Sequence, residues 1–292
     1  ILVGNHEFFP SVSMCILMKT ISSDLKKRGK LTLSGNYGTA VGAMLIVDVF
    51  LIVICMVFIG VSMAGTFSII GGAGYIRSSM TRSLVMMLVI YFIAILLIYL
   101  VMAGIRRMFY HMSTGRPFAL GDMLFAFTHR PQRFLGLYFI NMAFGMAAGI
   151  PYFVVSFSAR ITGYIPILMA LQFLMYLLQL IGIVVYSLYF KMAGYLLVED
   201  PERTVISCLR ESAALMKGNK GRLFYLDLSF IGMYLLGAGS FGIGFLWILP
   251  YMETTMIHFY LDINAGRRQE EACYDQEPFY DGSSGFYENV TE

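Results

Sequence analysis

Apolar stretches about as long as a lipid bilayer is thick recur along this chain and restrict the folds open to it. A helix needs about 20 apolar residues to cross the hydrocarbon core. Four separate runs reach this length, at residues 39–63, 83–105, 134–157 and 165–190. Charged residues make up 13% of the chain, about half the usual share in soluble domains. We therefore predict an all-α, polytopic membrane protein and exclude soluble, disordered and disulfide-scaffold classes.

A fifth apolar block, residues 223–263, is too long for one span. As a single helix, its 41 residues would measure about 61 Å, twice the hydrocarbon thickness. Four glycines within residues 237–244 favour a turn there. We therefore predict two further spans, 223–237 and 244–263, and a transmembrane helix bundle of six spans.

The distribution of Lys and Arg predicts the orientation of the bundle. With six spans and the N-terminus inside, cytoplasmic segments hold 18 of the 21 cationic residues, and only Arg77, Arg82 and Arg160 lie outside. A five-span arrangement worsens the count to 16 against 5. The positive-inside rule therefore predicts a multi-pass protein of the plasma (cytoplasmic) membrane with both termini in the cytoplasm.

Polar segments complete the predicted domain organisation. Residues 1–17 lack a signal-peptide pattern, and we predict that they are a non-native or disordered extension before a natural start at Met18. Residues 18–38 form a basic interfacial segment, residues 39–263 form the membrane domain, and residues 264–292 form an acidic, disordered cytoplasmic tail.

Short amphipathic helices are predicted on the cytoplasmic side. Asp200-Pro201-Glu202 is a typical helix start, and the apolar spacing after it predicts a helix that runs to Lys217. Residues 118–127 repeat the pattern, and residues 23–30 are basic. This surface either binds anionic lipid headgroups or only anchors the chain to the bilayer. Its headgroup candidates are Lys26, Lys27, Arg28, Arg106, Arg107 and Arg210.

Two acidic residues lie inside predicted spans, Asp48 in the first and Glu253 in the sixth. Each is predicted to lie about 13–15 Å from a membrane face, with no Lys or Arg at the same depth. Such acids are costly in lipid and should face the bundle interior. We interpret them either as a proton or cation relay with Asp227 and His258, or as neutral hydrogen-bonding groups between helices.

Other motifs are few. Gly145 and Gly149 form a small-xxx-small pair that allows close helix packing, within the bundle or between two copies. The sequence contains no catalytic or metal-ligand motif, so we predict no enzyme activity, cofactor, metal or nucleic-acid partner. The predicted partners are the bilayer and anionic lipids, and the sequence does not indicate a protein partner.

The C-terminal half resembles a large bacterial family of polytopic membrane proteins classed as a domain of unknown function. The similarity is carried by Glu211-Ser-Ala-Ala-Leu-Met-Lys-Gly-Asn-Lys220, Leu228-Ser-Phe-Ile-Gly232, Gly242-Ile-Gly244, Trp247, Pro250-Tyr251 and Phe259-Tyr260. The chain departs from the family pattern at Leu180-Ile-Gly182 and at Gly221. The resemblance implies a six-helix bacterial membrane domain and implies no activity.

Two functions are compatible with these patterns. The first is transport or permeation of a small solute or ion through a polar bundle interior around Asp48 and Glu253. The alternative is a non-transporting envelope scaffold or interaction protein that binds lipids or partners through its cytoplasmic surface and tail. Acids that are each held by neighbouring side chains would favour the alternative.

Overall fold

The computed structural model describes residues 21–70, 76–163 and 165–275, and all regular structure within them is helical. The prediction of an all-α fold is confirmed. A short 3-10 helix, Leu120–Leu124, precedes α4. The α-helices are α1 (Ser22–Leu33), α2 (Tyr37–Ile70), α3 (Ile76–Thr114), α4 (Phe125–Thr128), α5 (Pro131–Thr162), α6 (Pro166–Phe190), α7 (Ala193–Glu199), α8 (Val205–Leu215), α9 (Lys220–Leu228), α10 (Ile231–Gly239) and α11 (Phe245–Asp275).

Four helical segments of the described chain are long and apolar enough to cross a membrane. They are Tyr37–Val61 in α2, Leu84–Thr114 in α3, Pro131–Thr162 in α5, and Pro166–Glu199, which covers α6 and α7. Each contains or closely matches one of the first four predicted spans. The chain therefore has the helices of a multi-pass membrane protein.

The segments predicted as the fifth and sixth spans are not among these four. A turn at Ser229 and Phe230 divides residues 223–237 between α9 and α10. The glycine-rich segment contains the turn between α10 and α11, where Phe241 and Gly242 have φ of 55° and 90°. Gly242 adopts this angle easily, and a Cβ on Gly237 or Gly244 would lie 2.6 or 2.7 Å from the side chain of Phe245 or Ser240. Backbone angle at one position and close packing at two others therefore favour glycine at this turn.

The buried core lies at one end of the four long helices. We call this the basal end: it is where α2 begins, α3 ends, α5 begins and α6 ends. Helices α1, α4, α7, α8 and α9 and the middle of α11 pack here, and the largest buried side chains include Phe109, Phe134, Phe230, Phe259 and Tyr260. Toward the opposite end, α2, α3, α5 and α6 expose apolar side chains, as helices that contact lipid do.

The predicted amphipathic segments lie on the bundle. In residues 118–127, Met123, Phe125 and Ala126 are buried. The backbone of Met123 lies so close to α3 that a Cβ on Gly104 would be 2.1 Å from its carbonyl oxygen. α8 also buries a face, and its Ser212 hydroxyl donates a hydrogen bond to the Tyr189 carbonyl at 2.8 Å.

The predicted start of the second amphipathic helix is wrong. α8 begins at Val205, where the Thr204 hydroxyl accepts a hydrogen bond from the Ser207 N–H at 3.3 Å. Asp200 instead closes a turn by accepting from the Glu202 N–H. The Arg133 guanidinium holds this turn against α5, because it donates to the carbonyls of Pro201 and Arg203 at 2.8 and 3.1 Å.

The predicted tail boundary is also wrong, because α11 continues to Asp275. Asn264 is buried, Arg267 pairs with Glu211 at 2.6 Å, and Arg268 pairs with Glu199 at 3.3 Å. These tertiary contacts hold a charged segment in a helix. The predicted extension, residues 1–17, and residues 276–292 of the predicted tail lie outside the described residues.

Candidate functional site

A polar cluster at the basal end joins α3, α7 and α11. The Arg106 Nε donates a hydrogen bond to Glu253 Oε1 at 3.1 Å, and the Tyr195 hydroxyl donates to the same oxygen at 3.1 Å. Arg106 also lies over the Tyr195 ring, with 5.7 Å from its Cζ to the ring centroid. The Tyr195 ring stacks on Tyr260, centroid to centroid 5.8 Å. The ion pair with Arg106 and the hydrogen bond from Tyr195 therefore hold the Glu253 carboxylate in place.

This arrangement corrects the prediction that no cation shares the depth of Glu253. Arg106 was placed among the headgroup ligands because it follows the apolar run of α3, and it instead faces the protein interior. Glu253 consequently lies beside the first charged residue that follows the apolar run of α3. Nothing in the sequence indicated Tyr195 or the pairing between Arg106 and Glu253, since 58 and 147 residues separate these two side chains from Glu253.

A second ion pair joins α6 to α9. The Lys191 Nζ lies 2.6 Å from Asp227 Oδ1, directly after the last residue of α6. This pair holds Asp227 to the end of α6, just as the pair with Arg106 holds Glu253 to α3. The nearby Lys220 lies over the Tyr189 ring at 3.5 Å, so the start of α9 is held to α6 as well.

The remaining predicted polar residues lie elsewhere. His258 Nε2 is 2.7 Å from the Thr32 hydroxyl, between α11 and α1. Asp48 is half-buried on α2 and has no hydrogen bond or ion pair within the part of the chain that the structure describes. No hydrogen bond or ion pair among the described residues links any two of Asp48, Glu253, Asp227 and His258.

An ion-paired layer closes the basal end outside the long helices. Glu211 on α8 accepts hydrogen bonds from Arg203 and from Arg267, which fastens the end of α11 to α8. Burial would raise the pKa of Glu211, but the hydrogen bonds and charges of Arg267 and Arg203 outweigh burial and lower this pKa below its ordinary value. Glu199 accepts from Tyr260 and Arg268, and Arg222 pairs with Asp262 at 2.6 Å.

The six predicted headgroup cations divide into two groups. Lys26 donates to the Ser229 carbonyl and lies 4.5 Å from the centroid of the Phe230 ring, and burial lowers its pKa. Arg107 stacks on Phe125 at 3.6 Å and donates to the Val198 carbonyl. These two and Arg106 therefore hold helices together. The other three, Lys27, Arg28 and Arg210, are exposed.

Polar side chains also connect α5 and α6 along the membrane region. Tyr186 donates to Asn141 at 2.6 Å, and Gln172 donates to Tyr152 at 3.2 Å. A Cβ on Gly149 would lie 3.3 Å from the Gln179 side chain, whereas a Cβ on Gly145 would meet no atom within 4 Å. Gly149 therefore allows the close approach of these two helices, and Gly145 does not contribute to it.

Among the described residues, no group of three or more His, Cys, Asp or Glu side chains could hold a metal ion. A family model described as "Protein of unknown function (DUF975)" matches residues 122–267, which confirms the family resemblance. No curated protein and no solved structure matches the chain.

Proposed function

Because the chain belongs to the DUF975 family of proteins of unknown function, we propose its role from its own residues: a multi-pass membrane protein whose basal end binds anionic lipid headgroups. The proposal rests on one observation. Three of the four residues that a relay would use, Glu253, Asp227 and His258, are paired with neighbouring side chains, whereas the cations of α1 are exposed. This favours an interaction or scaffold role over transport.

The exposed cations lie on α1, at Lys27, Arg28 and Lys30. Lys27 has only an exposed partner, Asp24 at 3.2 Å, and such surface pairs contribute about 0–1 kcal/mol. α1 packs against α9, on which Phe224 and Tyr225 are exposed. Cations next to exposed aromatic side chains are typical of protein surfaces at the headgroup level of a bilayer.

Charge distribution supports an orientation with the basal end in the cytoplasm of a bacterial cell and the long helices in the plasma membrane. The predicted count of 18 of 21 Lys and Arg on one side supports this orientation. The count is the same for six crossings and for four, because an even number of crossings returns the chain to the same side. The amphipathic helices would then lie beneath the inner leaflet.

The test compares three forms of the full chain in a neutral detergent: wild type, Lys27→Gln/Arg28→Gln, and Arg82→Gln/Arg160→Gln. The last form is a matched control, because it loses two exposed charges that lie away from the basal end. Thermal unfolding is measured with increasing short-chain phosphatidylglycerol, and with phosphatidylcholine for comparison. A ligand at 100 times its Kd stabilises the folded state by about 2.7 kcal/mol.

We expect phosphatidylglycerol to raise the Tm of wild type and of the control equally, and to raise that of Lys27→Gln/Arg28→Gln by less than half as much. Equal gains in all three forms would show that these cations do not bind the headgroup. Equal gains from phosphatidylcholine would show that the negative charge of the lipid is not recognised.

A second candidate function is ion or proton permeation, and Asp48 is the observation that favours it. A carboxyl group without a described partner on an apolar helix is costly in lipid and is a candidate for ion binding. The test is dye-detected proton flux in liposomes that contain wild type, Asp48→Asn or Glu253→Gln protein. Permeation predicts flux above that of empty liposomes, lost in Asp48→Asn. Flux equal to that of empty liposomes would contradict this candidate.

A further inference from the structure

The chain between Asp227 and Glu253 forms a helical hairpin, which consists of α10, the turn 240–244 and the first part of α11. We infer that it is re-entrant: it enters the bilayer from the basal end, turns back near the bilayer centre, and exposes its tip to acyl chains. The depth of the hairpin is independent of the headgroup binding proposed above. Five lines of observation support this inference.

Both roots of the hairpin are tied to the basal ends of long helices. At the first root, Asp227 pairs with Lys191, immediately after the last residue of α6. At the second root, Glu253 pairs with Arg106, the first charged residue after the apolar run of α3. The two ion pairs therefore fix the chain at the boundary of the hydrocarbon region on the same side.

The two arms are too short to cross a bilayer from these roots. At about 1.5 Å per residue, α11 rises about 12 Å from Phe245 to Glu253, and α10 is also about 12 Å long. The hydrocarbon core is about 30 Å thick. Even with the added height of the turn and of the Ser229–Phe230 bend, the tip reaches only about halfway.

The buried lengths of α2 and α3 independently indicate the same depth for the tip of the hairpin. The last buried side chain of α2 is Val47, ten residues after Tyr37, and the first buried one of α3 is Ala94, twelve residues before Arg106. These lengths correspond to about 15–18 Å. Beyond them, every described side chain in both helices is at least partly exposed. An α11 that crossed completely would cover the remaining length.

The tip has the chemistry that hydrocarbon requires. Residues 228–252 contain no Asp, Glu, Lys or Arg. Phe241 at the tip is 99% exposed, and Leu236 and Trp247 beside it are also exposed. The exposed surface of the hairpin is therefore apolar and uncharged.

The backbone N–H groups of the turn are internally satisfied. Each N–H from Ser240 to Ile248 donates to an acceptor within the hairpin, including Gly242 to the Gly237 carbonyl at 3.1 Å. The Ser240 hydroxyl accepts from Gly244 and donates to Gly237, both at 2.8 Å. Irregular backbone is stable at membrane depth only when its polar groups are paired in this way. Water at an outer membrane surface could accept from these N–H groups and would make their internal pairing unnecessary.

The first experiment measures the depth of the tip. Trp247 is the only tryptophan in the chain, so Trp247→Phe/Phe241→Trp moves the single fluorophore to the tip. Both this variant and wild type are reconstituted into bilayers of lipids brominated either near the end of the acyl chain or near the headgroup. We expect the deep bromines to quench the tip tryptophan at least twofold more strongly than the shallow ones. Stronger quenching by the shallow bromines would overturn the inference.

The second experiment measures access from outside the cell. Phe241→Cys and Thr162→Cys are made in a chain whose four cysteines are replaced by alanine. Thr162 is the matched control, because it is exposed at the turn between α5 and α6, at the opposite end of the bundle. A membrane-impermeant maleimide should label Thr162→Cys and leave Phe241→Cys unlabelled. Equal labelling would mean that the hairpin crosses the membrane, as six spans require.

Discussion

Neutralising Glu253 should loosen the root of the re-entrant hairpin. Glu253→Gln keeps the length of the side chain and an oxygen that can accept from Tyr195, but it removes the negative charge. Arg106 then faces a neutral amide. In wild type the Arg106 side chain is 34% exposed and the Glu253 side chain is 21% exposed. Only the electrostatic part of the contact is lost, which makes the substitution a direct test of the ion pair.

The expected cost lies between two known limits. Removing one partner of a fully buried ion pair costs about 3–5 kcal/mol, and an exposed pair is worth about 0–1 kcal/mol. Because both side chains retain some solvent contact, we expect Glu253→Gln to lower the free energy of unfolding by about 1–3 kcal/mol. Lys27→Gln breaks the exposed pair with Asp24 and should change the free energy of unfolding by less than about 0.5 kcal/mol.

The assay is a double-mutant cycle with Glu253→Gln, Arg106→Gln and both changes together. Unfolding is followed in mixed micelles of increasing SDS content through the fluorescence of Trp247, which lies on the hairpin itself. We expect the double variant to be less destabilised than the sum of the two single variants, by about 1–3 kcal/mol. Additive costs, or a Glu253→Gln protein as stable as Lys27→Gln, would refute the structural role of the pair.

Three further predictions concern packing, pH and helix association. Gly104→Ala should destabilise the fold by about 1–3 kcal/mol, because the new Cβ would lie 2.1 Å from the Met123 carbonyl oxygen. The control is Gly42→Ala, whose Cβ would meet no atom within 4 Å. Thermal unfolding should show no such loss of stability for this control. Because the pKa of Glu211 is lowered in the folded state, its ion pairs stabilise the fold fully above the ordinary pKa of 4.5, and this stabilisation is lost as pH falls through the lower folded-state pKa. The free energy of unfolding should therefore fall less steeply with acid in Glu211→Gln than in wild type. Identical acid titration curves would contradict this prediction. Asn141→Leu should weaken the association of α5 and α6 by about 0.6–1.7 kcal/mol, measured by SDS titration, and an unchanged midpoint would show that its hydrogen bond adds nothing.

The sequence by itself predicted those features that depend on local composition. The four long helices follow from runs of apolar residues, and the turn 240–244 follows from clustered glycines, because both signals act over neighbouring positions. The family resemblance was likewise visible in short motifs of the C-terminal half. The basic segment also indicated Lys27 and Arg28, but it did not distinguish them from Lys26, which packs on Phe230.

The partners of the polar residues could not be predicted in this way. Glu253 and Arg106 are 147 residues apart, and Asp227 and Lys191 are 36 apart. Neither hydropathy nor residue spacing carries information about such pairs. Counting residues from the end of an assumed span placed Glu253 deep in the membrane, whereas its contact with Arg106 places it at the basal end.

Only tertiary contacts distinguish the two depths to which the last apolar block could enter the bilayer. A hairpin that crosses twice and one that turns back halfway have the same hydropathy, the same glycine-rich turn and the same distribution of Lys and Arg. They differ only in which residues of α3 and α6 lie beside Glu253 and Asp227, and in how far the buried faces of α2 and α3 extend. Composition determined that the block is apolar, and only the long-range ion pairs indicate how deep it lies.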